Sequence, residues 1–277
     1  MSNDSVQKRA SLVSNAVEQV LESGARAVIV TVIDAGSEGL PIGAKLLIQD
    51  SGETVGTLGS VDADDIAAFH AQEFLRSRGE VRTVTIREFA PDSPFADTKI
   101  LFERIEAEPR LVIAGAGHVG ASLARFAAIA GFRVTLIDDR ADFVDRNRFS
   151  SFGEESIELV NADDWQEAMR HAVDNGKAVS VAIVTRGHKQ DEECLRAVLN
   201  SKPDYVGMIG SKRRTNIVLD KLREERVDEN ELKKVRAPIG LDIGAVSPEE
   251  VALAILAEII AERHGGTGTP LSSWRRA

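Results

Sequence analysis

The 277-residue sequence is poor in sulfur and in aromatic side chains, with one cysteine, three methionines, one tyrosine and two tryptophans. The single cysteine, Cys194, excludes an internal disulfide framework and any metal site built from several cysteines. The single tyrosine, Tyr205, lies in a strand-like run and has no lysine four residues after it. The Tyr-x-x-x-Lys pair expected of one class of NAD-dependent oxidoreductase is therefore absent.

Positive charge and long apolar runs are also scarce. Lysine and arginine number 34 against 44 aspartates and glutamates, which gives a formal net charge of -10. Because nucleic-acid binding depends on clustered basic side chains, this balance argues against a nucleic-acid partner. No apolar run approaches the roughly 20 residues that a membrane span needs, and the first residues lack the basic and apolar regions of a secretory signal. We therefore expect a cytoplasmic protein with no membrane partner.

The first 107 residues combine helical and strand-like patterns. Apolar residues at helical spacing predict helices over 6–23 and 61–77. Short β-branched runs predict strands over 27–33, 44–49, 53–57, 81–89 and 99–105. Since the strands are bunched together, we predict a small N-terminal α+β domain over 1–107.

After a charged break at 106–109 the strands and helices alternate. We predict strands over 110–114, 133–137, 180–185 and 205–209, and helices over 118–130, 165–175, 189–200 and 212–225. A final helix over 248–263 opens with a capping box in which Ser247 is the cap and Glu250 lies three residues later. This alternation predicts a Rossmann-like, doubly wound parallel sheet over 108–264 with helices on both faces, followed by a loose tail over 265–277.

A glycine loop, Gly-Ala-Gly-His-Val-Gly at 115–120, joins the first predicted strand of that domain to a helix. Gly115 permits the tight turn, Gly117 lets a pyrophosphate approach the backbone, and Gly120 lets helix and strand pack closely. The helix begins at His118 and Val119, where free N–H groups and the positive end of the helix dipole can bind an anion. A GxGxxG pattern alone is weak evidence, but here the strand before it and the helix after it are both present.

An acidic pair, Asp138 and Asp139, follows the next strand at about the separation, roughly 20 residues, at which a carboxylate accepts ribose hydroxyls. A carboxylate there favours NAD or a simple ribose ligand over NADP, although Arg140 weakens that preference. The alternative is a Rossmann domain that no longer binds a ligand.

Further polar residues follow the later strands, on the rim where open α/β sheets bind their ligands. The predicted binding set on this rim comprises Thr185, His188, Gly210, Ser211 and Asp242. Gly210 and Ser211, at a helix start with three cations after them, form a second candidate anion site. For Arg213 and Arg214 we favour a solvated basic face with no ligand. His118 can equally be an exposed polar residue on the first turn of the helix. Asp242 can equally be a turn residue that caps its own backbone.

Several of these motifs together resemble the XdhC/CoxI family of accessory factors for xanthine dehydrogenase and related molybdenum hydroxylases. The resemblance covers nearly all of 110–263, through GAGHVG at 115–120, TRGHKQDEECL at 185–195, YVGMIGSKRR at 205–214 and APIGLDIGAVSPEEVALAILAEIIA at 237–261. It implies a protein that binds molybdenum cofactor (molybdopterin) and passes it to an apo-hydroxylase. It also implies a sulfurating cysteine desulfurase as a further partner and self-association into a homo-oligomer. The alternative function is an NAD(P)-dependent oxidoreductase, in which His188 would serve as the general acid with Asp191 as its one evident partner.

The N-terminal half departs from that family's pattern. The Gly-Ser turn at 36–37 and the Gly-Ala pair at 43–44 are present, but a Pro-Arg pair is replaced by Gly-Leu-Pro at 39–41. The expected Gly-Gly-rich loop becomes Gly-Ser-Val-Asp-Ala-Asp at 59–64, with no cysteine nearby. A divergent member that binds the cofactor weakly, or that handles another ligand, therefore stays an open alternative.

Overall fold

A computed structural model describes residues 3–37, 39–77, 79–151, 153–174 and 176–272, with side chains from residue 12 onward. The chain divides into two compact units, Met1–Ala107 and Glu108–Ala277.

The first unit is a five-stranded antiparallel sheet with two helices. Its elements are α1 (Asn3–Ser23), β1 (Arg26–Asp34), β2 (Lys45–Gln49), β3 (Thr54–Thr57), α2 (Val61–Arg76), β4 (Val81–Thr85) and β5 (Lys99–Glu106). The strand order is β3-β2-β1-β5-β4, so the long strand β1 is central. Alternation along β1 sorts its side chains between two cores: Val28 and Val30 pack with α2, whereas Ala27 packs with α1. The predicted α+β class of this unit is confirmed.

The second unit is a five-stranded parallel sheet with helices on both faces, as predicted. Its elements are β6 (Arg110–Ala114), α3 (His118–Ile129), β7 (Arg133–Asp138), β8 (Glu158–Asn161), α4 (Trp165–Val173), β9 (Val179–Ile183), α5 (His188–Leu199), β10 (Tyr205–Met208), α6 (Lys212–Glu224), α7 (Glu229–Lys234) and α8 (Pro248–His264). One face packs against α4, α5 and α6, and the other against α3 and α8. The Ser247–Glu250 capping box predicted for α8 is present.

The strand order of this sheet, β10-β9-β6-β7-β8, determines where a crevice can open. The chain winds outward from β6 through β7 to one edge and then returns to β9 on the other side of β6. The connections after β6 and β9 therefore diverge, and the carboxyl ends of these two strands mark the switch point at which ligands bind in open α/β sheets.

Three local predictions were wrong. The strand predicted over 81–89 ends at Thr85, because the Glu88 carboxylate accepts the Thr85 N–H (2.9 Å) and starts a short 3-10 turn. The pattern did not predict β8, a four-residue edge strand with no fully buried residue, or α7, whose six residues include only one buried side chain, Leu232. Of the tail predicted over 265–277, residues 273–277 lie outside the described part of the chain.

Candidate functional site

The glycine loop lies at the switch point, where it contacts the end of β9. Gly115 has a φ of +109°, and a Cβ there would come within 2.7 Å of the Val184 carbonyl oxygen. A Cβ on Gly120 would lie 1.8 Å from the Gly115 carbonyl oxygen. Both glycines are required by backbone packing, in agreement with the roles predicted for the first and third positions of the loop.

Gly117 differs from these two glycines because it has open space around it. A Cβ there would meet nothing within 4 Å. Gly117 is the N-cap of α3 and has no side chain to satisfy the helix, and the first helical bond runs from Ala121 N–H to Gly117 carbonyl (2.9 Å). The N–H groups of His118, Val119 and Gly120 precede that bond, so they are free to donate to an anion. The first turn of α3 carries no acidic residue to compete with that anion.

Asp138 occupies a different place from the one predicted for a ribose acceptor. It is only 2% exposed, and its carboxylate accepts hydrogen bonds from the Ala116 N–H (2.7 Å), the Arg140 N–H (3.0 Å) and two guanidinium N–H groups of Arg140 (2.8 and 2.9 Å). The Arg140 guanidinium in turn lies 3.5 Å from the centre of the Phe143 ring. Asp138 thus anchors the glycine loop from inside the protein. Both of its carboxylate oxygens already accept hydrogen bonds from Ala116 or Arg140.

The protonation of Asp138 follows from this environment. Burial raises the pKa of the carboxyl, but the hydrogen bonds from Arg140 and from the Ala116 N–H outweigh burial and hold the pKa below its ordinary value. The ionised form is therefore the one that the fold stabilises.

We expect Asp138→Ala to lower the free energy of unfolding of the second unit by about 1–3 kcal/mol, because the buried Ala116 N–H is left without an acceptor. A lowered folded-state pKa stabilises the fold above the unfolded-state value and loses that contribution as pH falls through the folded-state value. The difference between wild type and variant should therefore shrink below about pH 4. Urea unfolding at pH 7 and pH 3 measures both effects.

Asp139→Ala is the matched control, since its carboxylate is more exposed and pairs with an exposed arginine. It should cost less than about 1 kcal/mol. An equal loss in both variants would contradict the anchoring role of Asp138.

Asp139 links the connection after β7 to the connection after β9, the two strands that flank β6. Its Oδ2 accepts a hydrogen bond from Nη2 of Arg186 (2.9 Å), which follows β9. The Arg186 side chain is 51% exposed and the Asp139 side chain 28% exposed, so the pair is accessible from solvent. Sequence reasoning missed Arg186, because nothing in the local pattern indicates a partner 47 residues away.

An ion pair between a buried carboxylate, Asp191, and Arg214 fixes the part of the rim that follows β9. The Asp191 carboxylate, fully buried, accepts hydrogen bonds from the Thr185 hydroxyl (2.6 Å) and from Nε of Arg214 (2.6 Å). Nη2 of Arg214 also donates to the Thr185 carbonyl (3.1 Å). Burial raises the pKa of the Asp191 carboxyl, and the bonds from Thr185 and Arg214 oppose that rise without cancelling it. The prediction that Arg214 belongs to a solvated basic face is therefore wrong, whereas Lys212 and Arg213 are exposed.

The other predicted rim residues lie at strand and helix ends. His118 and His188 are exposed at the first positions of α3 and α5. Ser211 caps α6 by accepting the Arg214 N–H (3.3 Å), and Gly210 precedes it. Asp242 is exposed in the segment between β10 and α8, and no hydrogen bond in the described part of the chain joins it to the glycine loop. The structure thus brings the loop, Asp138 and the end of β9 together, and Asp242 forms no hydrogen bond with them among the described residues.

The backbone donors on this rim suit recognition of an anion. Within the described residues, no group of three or more histidine, cysteine, aspartate or glutamate side chains could hold a metal ion. In the same part of the chain, no helix is both long enough and apolar enough to cross a bilayer. The free N–H groups of α3 beside an open Gly117 remain the best-built feature of the rim.

Known proteins resemble this chain along most of its length. A protein of Bacillus subtilis named as a probable component of xanthine dehydrogenase is 30% identical over 60% of this chain. The molybdenum cofactor insertion chaperone PaoD of Escherichia coli is 25% identical over 88% of this chain and 86% of its own length. The chain spans 46% of the length of the B. subtilis protein and 41% of that of YqeB of E. coli, which is 28% identical over 81% of this chain.

A solved structure shares the fold. A xanthine dehydrogenase from Bacillus halodurans superposes with a TM-score of 0.50 at 19% identity, covering 94% of this chain and 98% of the other. Residues 111–259 match the XdhC Rossmann domain. Residues 20–87 match the XdhC and CoxI family, so this match falls within the divergent N-terminal half. The resemblance found in the sequence motifs is thereby confirmed: the chain belongs to the XdhC and CoxI family.

Proposed function

We propose that this protein is a maturation factor for a xanthine dehydrogenase-type molybdenum hydroxylase, which binds molybdenum cofactor and delivers it to the apo-hydroxylase. Membership of the XdhC and CoxI family supports the maturation role. The names of two relatives, a molybdenum cofactor insertion chaperone and a probable component of xanthine dehydrogenase, support the cargo and the client.

The observation that carries the proposal is the open N-terminus of α3. The terminal phosphate of molybdopterin fits this position, because Gly117 leaves room for it and the N–H groups of His118, Val119 and Gly120 are available as donors. A helix N-terminus supplies both hydrogen-bond donors and a positive dipole end to a phosphate. Since a carrier has to release its cargo, a site made from backbone donors on a rim open to solvent is well suited to reversible binding.

The neighbouring side chains would hold the rest of the cargo. Thr185 and Arg214, fixed by the buried Asp191 carboxylate, keep the end of β9 in place beside the loop. Exposed polar groups of His118, His188 and Ser211 border the rim and would contact the pterin. When bound, the cofactor supplies the molybdenum centre that the hydroxylase uses, and this chain's residues bind and orient it.

The geometry favours a carrier over an oxidoreductase. Tyr205 is the first residue of β10, so it lies at the amino ends of the parallel strands, whereas the glycine loop lies at their carboxyl ends. It is 5% exposed and its hydroxyl bonds to the Glu258 carboxylate. Burial, first of all, and this carboxylate raise the pKa of the Tyr205 hydroxyl. Tyr205 is therefore poorly placed and poorly tuned to transfer a proton to a ligand on the loop.

Deleting this protein should leave the client hydroxylase folded but short of molybdenum, because the apo-hydroxylase would lack its donor. The measurement is hydroxylase activity and molybdenum content per mole of purified hydroxylase, from cells with and without this protein. Wild-type protein supplied in trans should restore both quantities, and a Gly117→Val variant should restore neither. Equal activity and equal metal loading in the deletion strain would refute the maturation role. Turnover of NAD by the purified chain alone would support the oxidoreductase instead.

A further inference from the structure

A cavity lies in the same unit as the glycine loop, but at the amino ends of the parallel strands rather than at their carboxyl ends. It has a volume of about 330 Å³ and is lined by the segment before β10, the start of β10, the last turn of α7 and the end of α8. The volume is at the lower end of the range for small-molecule pockets, roughly 300–1,000 Å³. Because it opens at the amino end of β10, it is separate from the candidate site at the carboxyl ends of β6 and β9.

The walls of this cavity are held by backbone hydrogen bonds. The Arg236 N–H donates to the Val206 carbonyl (2.9 Å), and the Arg236 carbonyl accepts the Met208 N–H (2.9 Å). The segment that follows α7 is thus fixed alongside β10. The cavity is therefore a feature of the sheet and its flanking segment rather than of a loose surface loop.

The charge of the lining differs in sign from that of the chain. Four basic side chains face three acidic ones there, whereas the whole chain has a net charge of -10. The basic residues are Lys202, Lys233, Lys234 and Arg236, and the acidic residues are Asp204, Glu231 and Glu262. A recess whose walls carry an excess of one charge raises the local concentration of ions of the other sign.

Two of the basic side chains are already neutralised by neighbours. Lys234 pairs with Glu231 (2.9 Å), and Arg236 pairs with Glu262 (3.0 Å). By contrast, neither Lys202 nor Lys233 has a carboxylate within 4 Å in the part of the chain that the structure describes. Glu229 lies one turn before Lys233 on α7 and interacts with it electrostatically, but its carboxylate is already bonded to Arg223 (2.9 Å). Both ammonium groups can therefore pair with a ligand in the cavity.

We propose that this cavity binds a small organic polyanion, a compound with two or more carboxylate or phosphate groups, through Lys202 and Lys233. The two lysines approach from different elements, the connection before β10 and α7. A ligand with two separated anionic groups can pair with both at once, whereas a monoanion can neutralise only one of them. The site is independent of the proposed carrier function.

Calorimetric titration of the full chain with citrate and with pyrophosphate tests the proposal and separates carboxylate from phosphate recognition. We expect at least one of the two probes to bind, and Lys202→Gln/Lys233→Gln to weaken its Kd at least about tenfold, as for loss of hydrogen bonds to a charged group. Lys202→Arg/Lys233→Arg, which retains both charges, should bind within a small factor of wild type. Coincident urea unfolding curves would establish that the double variants are folded.

Gly117→Val distinguishes this cavity from the glycine loop, because it alters only the loop. Polyanion binding retained in Gly117→Val and lost in Lys202→Gln/Lys233→Gln supports the proposal. Binding lost in Gly117→Val and retained in the lysine variant would assign the anion to the loop and overturn it. Failure of both probes to bind the wild-type chain would overturn it as well.

Discussion

Gly117→Val is expected to abolish molybdopterin binding while the second unit stays folded. Gly117 has a φ of -65° and extended ψ, which valine adopts without strain, and a Cβ there meets no atom within 4 Å. The free energy of unfolding should fall by about 1 kcal/mol at most, because valine is a poorer helix N-cap than glycine. The branched side chain, however, fills the space in which a phosphate would reach the first N–H groups of α3.

The expected loss of affinity is large because several charge-assisted bonds disappear together. Each hydrogen bond to an anion contributes about 1.5–3 kcal/mol, so losing two of them weakens Kd more than about hundredfold. Calorimetry with purified molybdopterin, with urea unfolding run in parallel, measures both quantities. Gly117→Ala serves as the graded control, since its single methyl group should give a smaller loss. Unchanged affinity in a folded Gly117→Val protein would remove the loop from the site.

Gly120→Ala is expected to destabilise the second unit strongly, although it adds only one methyl group. The new Cβ would lie 1.8 Å from the Gly115 carbonyl oxygen and 3.2 Å from Cγ2 of Val184. The nearest atom belongs to the backbone and cannot rotate away. Gly115 itself, at a φ of +109°, is already pressed against the end of β9. Gly115 and the start of α3 would have to move apart, at a cost of about 3 kcal/mol or more, the upper part of the range for overpacked cores.

Urea unfolding measures this loss, and Gly117→Ala is the matched control in the same loop. The two substitutions add the same group three residues apart, but only Gly120 has backbone in the way. A stable Gly120→Ala protein with an unshifted midpoint would show that α3 does not approach β6 as closely as described. Similar losses from the two variants would contradict the division of the loop into two packing glycines and one binding glycine.

The parts of the fold that could be predicted are those in which apolar residues or glycines form a clear pattern along the sequence. The strands at 110–114 and 133–137 are nearly uniform apolar runs, and the structure has strands there because they are buried on both faces. The glycine loop was recognisable because each glycine meets a steric need of the strand-to-helix turn. The strand β8 has two partly buried and two exposed residues at a sheet edge, so it carries little hydrophobic signal.

The candidate site was only partly predictable because its partners come from distant parts of the chain. Asp138 was singled out by its distance from the loop, but that spacing cannot show whether the carboxylate faces a ligand or the loop itself. In the structure Ala116 and Arg140 take up its oxygens. The ion pair between Asp191 and Arg214 joins α5 to α6 across 23 residues, so the Arg214 charge that looked solvated in sequence is paired with a buried carboxylate.

The amino-acid sequence by itself determined the parallel sheet, the position of the glycine loop and the family, because each depends on short-range pattern or on ordered motifs. Only the tertiary structure decided that Gly117 is open while Gly120 is blocked, and that Asp138 supports the loop from inside. Both facts depend on how closely β6, α3 and β9 approach one another. That closeness results from packing on both faces of the sheet, and local spacing along the chain does not encode it.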